Sequence, residues 1–229
     1  MENMEYQEKA GFIDNVVDLF TAPSKLAERI RQKPQYLLPI VLMSVLTIIT
    51  ALAIKDLTFQ EQLRATSGFP KEFQMTEEKF NTSFMIGLAI SPIMLIVGNA
   101  FSALLYWGIG KMFGGSSPYK NVFSATLYSG VIAALGGLVQ SFAMAYTNNF
   151  RFQFSPTLFL DTTGMNPWII NALNLISPIV IWSMVFMVIA LKIIHGYKKG
   201  SAIGTVVTVM IIGYIISSVM LMFSGTPIM

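Results

Sequence analysis

The sequence predicts an all-α membrane protein: a bundle of five transmembrane helices preceded by short amphipathic helices lying along the membrane interface. Three observations lead there. Only 12% of the 229 residues are charged and 54% are hydrophobic, whereas a soluble domain usually carries about 25% charged residues. The charges are also confined. Five stretches, at about 36–54, 84–109, 122–146, 167–191 and 202–223, contain no Asp, Glu, Lys or Arg. Each matches or exceeds the roughly 20 residues that a helix needs to cross a bilayer. Finally, these stretches do not alternate apolar and polar residues as the strands of a membrane barrel would.

The elements follow in order. Residues 11–20 place Phe12, Val16, Leu19 and Phe20 on one helical face and Asp14, Asn15 and Asp18 elsewhere. Thr21-Ala22-Pro23 then makes a break. A second short helix is predicted over about 23–32, with Thr21 or Ser24 as its cap and Pro23 in its first turn. Leu26, Ala27 and Ile30 form its apolar side, and Lys25, Arg29, Arg31 and Lys33 supply cations for the membrane surface. Amphipathic segments of this kind lie in the interface rather than across it. Residues 1–33 are therefore read as a cytoplasmic N-terminal segment and 34–229 as the transmembrane domain.

Pro34 precedes the first span, and Pro39 sits in its first turns, where proline removes few hydrogen bonds. The loop 55–80 holds a capping box, Thr58 to Glu61. It also holds a helix start at Thr76, whose Glu77 and Glu78 suit the positive end of the helix dipole. The second span carries Pro92 near its middle and ends in a glycine turn, Gly114-Gly115. The third is rich in small residues. The fourth begins at Pro167-Trp168 and carries Pro178, which is expected to kink it. The turn 195–201 holds His195, expected to be solvated or to face headgroups.

Lysine and arginine in the short loops set orientation. With the N-terminus inside, Lys9, Lys25, Arg29, Arg31, Lys33, Lys111, Lys120, Lys192, Lys198 and Lys199 are cytoplasmic. Lys55, Arg64, Lys71, Lys79 and Arg151 are outside. The bias places the N-terminus in the cytoplasm and, with five spans, the C-terminus outside the cell membrane.

One tetrapeptide recurs: Ile90-Ser91-Pro92-Ile93 in the second span and Ile176-Ser177-Pro178-Ile179 in the fourth. The recurrence raises the question of a parallel repeat of two-helix units, an architecture that transporters often use.

Chemistry-bearing residues are sparse. The spans hold no ionisable acid or base of the kind that proton and ion pathways need. There is no cysteine and one histidine, so a zinc site has no ligand set. No nucleophile–base set, phosphate loop or dinucleotide fingerprint is present, and neither a catalytic residue nor a cofactor is expected. The net charge of +3 is too small and too dispersed for a nucleic-acid partner. Polar groups within the spans are Asn99, Gln140, Asn171, Asn174 and hydroxyls. Asn171, Asn174 and Pro178 share one face, and with Pro92 they form the candidate site for a transported neutral solute. Amides in bundles more commonly serve as interhelical hydrogen bonds. Gly130 with Ala134, and Ala133 with Gly137, form small-residue pairs that let helices approach closely, within the chain, in a homo-oligomer or against another protein.

The order of several local features resembles the Yip-domain (Ypt-interacting protein) family, in its bacterial branch. The carriers are Phe20 to Pro23, then Leu26 and Ile30, then Lys33-Pro34-Gln35-Tyr36-Leu37-Leu38-Pro39 entering the first span. Pro92, the Lys111-Met112-Phe113-Gly114-Gly115 turn, Trp182 and the Lys198-Lys199 turn follow. The resemblance covers about residues 15–223. It implies a five-helix membrane domain and no catalytic residues. The longer N-terminal domain of the eukaryotic members, linked to Rab GTPases, has no counterpart in the short segment here. Some bacterial members look like accessory subunits of ABC exporters, including systems that protect against antimicrobial peptides. The function expected is thus a non-enzymatic subunit supporting another membrane complex such as an ABC exporter. The alternatives are a channel or transporter for an uncharged or apolar solute, and a protein that organises lipid through residues 11–33.

Overall fold

The computed structural model describes residues 11–150 and 152–223, so the acidic N-terminal segment 1–10 and the cation Arg151 lie outside the described residues. The described residues form helices and two short 3-10 turns. The helices are α1 (Phe12–Thr21), α2 (Pro23–Gln32), α3 (Leu37–Ala53), α4 (Lys55–Thr66) and α5 (Glu77–Met112), then α6 (Tyr119–Thr147), α7 (Pro167–Asn174), α8 (Pro178–His195) and α9 (Lys199–Phe223). Helices α5, α6, α8 and α9 are long and apolar enough to cross a membrane. Helix α3 becomes the fifth span if it is counted together with α4, from which it is bent by 60°.

The bundle is organised around α6. It packs against α3, α5 and α8, and α5, α6, α8 and α9 contact one another in sequence around a ring. The core runs through Val122, Ala125, Tyr128, Val131 and Ile132 of α6 and meets Phe186, Met187, Ala190 and Leu191 of α8. Loops 67–76 and 148–166 lie at one end of the spans, the loop end. The turns 113–118 and 196–198 lie at the other, the turn end.

Helices α1 and α2 sit against the turn end, with α2 on α8 and α6. The predicted apolar side of α2 is the one that packs: Leu26, Ala27 and Ile30 are all buried. On α1 the face turned inward is Asn15 and Leu19, while Ile13, Val17 and Phe20 are exposed; Phe12's side chain is outside what the structure describes. Leu19 and Phe20, read as sharing one apolar face, thus have different surroundings, Leu19 buried and Phe20 exposed. A polar contact decides which side turns in. Arg29 of α2, read as a membrane-surface cation, binds both Asp18 and Asn15 of α1, so its charge is engaged within the chain.

The α2–α3 connection is stitched to α6. Gln35 Oε1 accepts from Asn15 Nδ2 at 2.9 Å and from the Tyr128 hydroxyl at 2.9 Å. Gln35's backbone exchanges two bonds with Ser124 Oγ, and Asn121 Nδ2 donates to the carbonyls of Ile30 and Arg31. Buried polar groups need such partners, and here they fix the entry angle of the first span.

Two local expectations change and one holds. Thr58 does not open a helix: α4 starts at Lys55, immediately after the bend, and the Thr58 hydroxyl donates back to the Ile54 carbonyl. Thr76 does cap α5, accepting from the Lys79 N–H at 3.3 Å, and that helix leads into the second span as one run of 36 residues. At 1.5 Å per residue this is about 54 Å, well beyond the hydrocarbon thickness. Phe80, near the start of α5, packs on Phe59 of α4 with ring centroids 4.9 Å apart. At the fourth span, Pro178 does not kink a helix; it starts one. Helix α7 ends at Asn174, and Ser177, with extended backbone, caps α8 by accepting from the Val180 N–H at 3.2 Å.

Candidate functional site

The ring formed by α5, α6, α8 and α9 is shut at the turn end. His195 is buried there, not solvated: 4% of its surface is exposed. Its Nδ1 accepts from the Ser117 N–H at 3.1 Å, and its carbonyl accepts from Ser116 Oγ. Its ring stacks on Tyr197 at 4.9 Å. Accepting at Nδ1 leaves the proton of a neutral ring on Nε2, which has no partner among the described residues. Glycines make room for the imidazole. A Cβ on Gly115 would lie 2.5 Å from Nδ1 and 2.8 Å from the Gly110 carbonyl oxygen. Gly114, at φ +87°, turns the chain into position, a conformation that side chains with a Cβ resist. Phe113 fills the gap beside Gly204 of α9. Burial pushes the Tyr197 hydroxyl above its ordinary pKa, against the opposing effect of its bond to Thr205.

Above the closure α5 parts from its neighbours. Met85, Ile86, Ile90, Ile93, Met94, Val97 and Phe101 are all exposed. Between the diverging helices is a cavity of about 330 Å³. Its polar lining comes from Asn99, Ser102 and Tyr106 of α5, Thr126 and Ser129 of α6, and Ser183 of α8. The rest is apolar, including Ile179, Met184 and Val209. A second groove, between α3 and α5, shares Asn99 and Ser102 with it.

The residues singled out in the sequence do not assemble into one site. Asn171 donates to the hydroxyls of Ser217 and Ser218 on α9 at 3.0 and 2.7 Å. Asn174 Oδ1 accepts from Ser155 at 2.8 Å and from Thr157 at 3.3 Å. Both amides are engaged in packing, Pro178 is the first residue of α8, and Pro92 does not line the cavity. Gly130 is tight within the chain, since a Cβ there would collide with Met43 Sδ and sit 3.0 Å from Asn99 Oδ1. Ala133 lines the cavity, Ala134 packs on the core, and a Cβ on Gly137 would meet nothing within 4 Å. Among the family-pattern residues, Pro23 begins α2 and Pro39 is buried in α3. Trp182 packs on the core with its indole N–H lacking a partner.

Sequence reading missed the cavity hydroxyls because serine is unremarkable in a membrane helix. It placed His195 in solvent or among headgroups because a single histidine at a turn gives no pattern that would bury it. The available signal was the spacing of Gly110, Gly114 and Gly115 opposite it. Among the described residues, no cluster of three His, Cys, Asp or Glu could hold a metal ion.

Comparison with known proteins places these features in a wider group. A family model described as the Yip1 domain matches residues 17–220. The "Membrane protein YknW" of Bacillus subtilis (strain 168) is 29% identical over 210 residues, covering 90% of this chain and 88% of that protein. No solved structure matches.

Proposed function

The chain belongs to the Yip1 domain family, and from that premise we propose that it is a non-enzymatic accessory or scaffold subunit supporting another membrane complex, such as an ABC-type exporter acting in protection against antimicrobial peptides. The observation that carries this reading is the outer half of α5. Its apolar side chains are exposed around most of the helix, from Met85 to Phe101. Half-buried Leu88, Ser91, Leu95 and Asn99 give α5 one face turned toward the bundle, and association in lipid rests on close packing and hydrogen bonds. A second transmembrane protein seated along α5 would cover the exposed remainder. Gly137 on α6, where a Cβ would meet nothing within 4 Å, offers a second point of close approach.

In this reading the N-terminal helices and the turn end lie in the cytoplasm of a bacterial cell. Lys25, Arg31 and Lys33 then face anionic headgroups, each near cation contributing about 1 kcal/mol. The exposed Ile13, Val17 and Phe20 of α1 would rest among acyl chains. They also support the lipid-organising reading, which predicts loss of function on Ile13→Asp with the bundle still folded.

Affinity purification from native membranes in mild detergent, with cross-linking mass spectrometry, tests the subunit reading. The expected result is a stoichiometric membrane partner cross-linked near α5 or α6. Recovery of the chain alone, with cross-links only within itself, would overturn it. Gly137→Leu is the informative substitution on α6, because it leaves the internal packing alone; Gly130→Leu would disturb Met43 and confuse folding with binding.

A further inference from the structure

We infer that the open-sided cavity between α5, α6, α8 and α9 is a binding site for a small neutral amphiphile, a hydroxyl- or amide-bearing apolar molecule drawn from the membrane. The hydrogen-bond pattern of the spans points to it. Ser44, Ser91, Ser141 and Thr208 each donate to a backbone carbonyl of their own helix. That is the usual way for a hydroxyl to be satisfied where no water is available; Thr50 of α3, buried without a partner, is an exception. Around the cavity only Thr126 follows it, donating to the Phe123 carbonyl. Asn99 spends its amide N–H on the Leu95 carbonyl and Met43 Sδ, yet its Oδ1 receives no bond. The hydroxyls of Ser102, Tyr106 and Ser129 make none within the described residues, and Ser183 Oγ is buried without a partner. Five polar groups on three helices thus surround one space with their hydrogen bonds unmade.

Depth and chemistry narrow the occupant. Tyr106 is six residues, and Asn99 thirteen, from the end of α5 at Met112, so the site lies about 9–20 Å into the spans from the turn end. That is below headgroup depth. No charged side chain lines it, so an ionic ligand would have no counter-charge, a costly arrangement in a membrane. Asn99 offers an acceptor and the hydroxyls offer both roles, which suits an alcohol or an amide. Ile179, Met184 and Val209 offer the apolar body a dry wall. The volume, about 330 Å³, is at the small end of ligand sites, roughly 300–1,000 Å³. With the turn end shut by His195 and Phe113, entry is from the loop end or sideways along α5. The site differs from the Pro92, Asn171, Asn174 and Pro178 set, and it does not depend on the partner reading, since it uses the inner side of α5.

The test uses the full chain alone in liposomes, with a diazirine-bearing octanol as photoprobe and the matching diazirine-bearing octane as control. The alcohol should label residues near Asn99, Ser129 and Ser183, and unlabelled octanol should compete. The hydrocarbon should label these positions much less than the alcohol. Ser102→Ala with Ser129→Ala removes two hydrogen-bonding groups at little steric cost and should cut labelling about tenfold. Ala133→Phe, which fills the space from an exposed position, should abolish it, while circular dichroism and gel filtration remain unchanged. Equal labelling by alcohol and hydrocarbon, or labelling indifferent to all three substitutions, would overturn the proposal. So would protection of the site in native membranes by a cross-linked partner helix, which would assign these groups to protein–protein hydrogen bonds.

Discussion

The same four residues, Ile-Ser-Pro-Ile, meet two fates in this chain. At 90–93 the helix continues through proline: Ser91 stays helical, and its hydroxyl donates to the Leu88 carbonyl at 3.0 Å. At 176–179 the helix is broken: Ser177 is extended and turns its hydroxyl forward to cap α8. The residue before a proline is biased against the α conformation, so the second outcome follows local preference and the first overrides it. What differs is the surroundings. The break at 175–177 lies in a fixed setting, with Asn171 held by α9, Asn174 held by Ser155 and Thr157, and Ile179 pressed onto Gly136. The helix at Pro92 has almost nothing around it that would reward a break. In lipid an exposed broken backbone is costly, and an isolated helix keeps its internal hydrogen bonds as far as proline allows. The lesson is that tertiary anchoring, not the tetrapeptide, decides between kink and break.

Substitutions can break this contrast. The largest effect is expected at Gly136→Leu. The new side chain would enter the space of Ile179, whose atoms lie 2.5 Å from a built Cβ, and overpacking of this kind costs about 1–3 kcal/mol or more. Gly87→Leu, on the exposed α5, meets nothing within 4 Å and should leave stability unchanged. Unfolding in mixed micelles measures both. Next comes Asn174→Leu, which removes the acceptor shared by the Ser155 and Thr157 hydroxyls and leaves them only each other; it should cost about 1–2 kcal/mol, and faster proteolysis in the 152–166 loop would report the loosening. Ser177→Ala removes a helix cap and should cost about 1 kcal/mol, whereas Ser91→Ala should be close to neutral. The smallest effect is expected from Pro92→Ala, which restores a backbone donor to a helix already formed. Finding Ser91→Ala as damaging as Ser177→Ala would remove the distinction between the two regions.

Much of the fold was legible. The uncharged stretches fell on the apolar helices, although the fourth long helix opens at Pro178 rather than Pro167 and the first is long enough only together with α4; the apolar side of α2 was read residue for residue, and the Thr76 cap was found. The early start of α5 was legible too, because Thr76 with Glu77 and Glu78 marks a helix start leading into the second span. The break before α8 was hidden because the sequence 167–191 is uniformly apolar, and nothing local separates a kink from a cap. The site was less legible still. Asn99 stood out as an amide in a span, but its role depends on where Ser102, Ser129 and Ser183 fall around the ring, which only the packing of three helices determines. His195 was misplaced for a similar reason: its burial is created by Gly110 and Gly115, some eighty residues away in the chain.

The central claim is that the region around Pro92 awaits a partner while the region around Pro178 is complete within the chain. Ile90 and Ile181 are matched reporters, with 44% and 46% of their surfaces exposed. A photoreactive amino acid placed at each, in full-length protein in native membranes, gives the most direct comparison. The account predicts that position 90 cross-links to another polypeptide in high yield and that position 181 cross-links to lipid alone. Lipid adducts alone at both positions, or equal protein adducts at both, would contradict it.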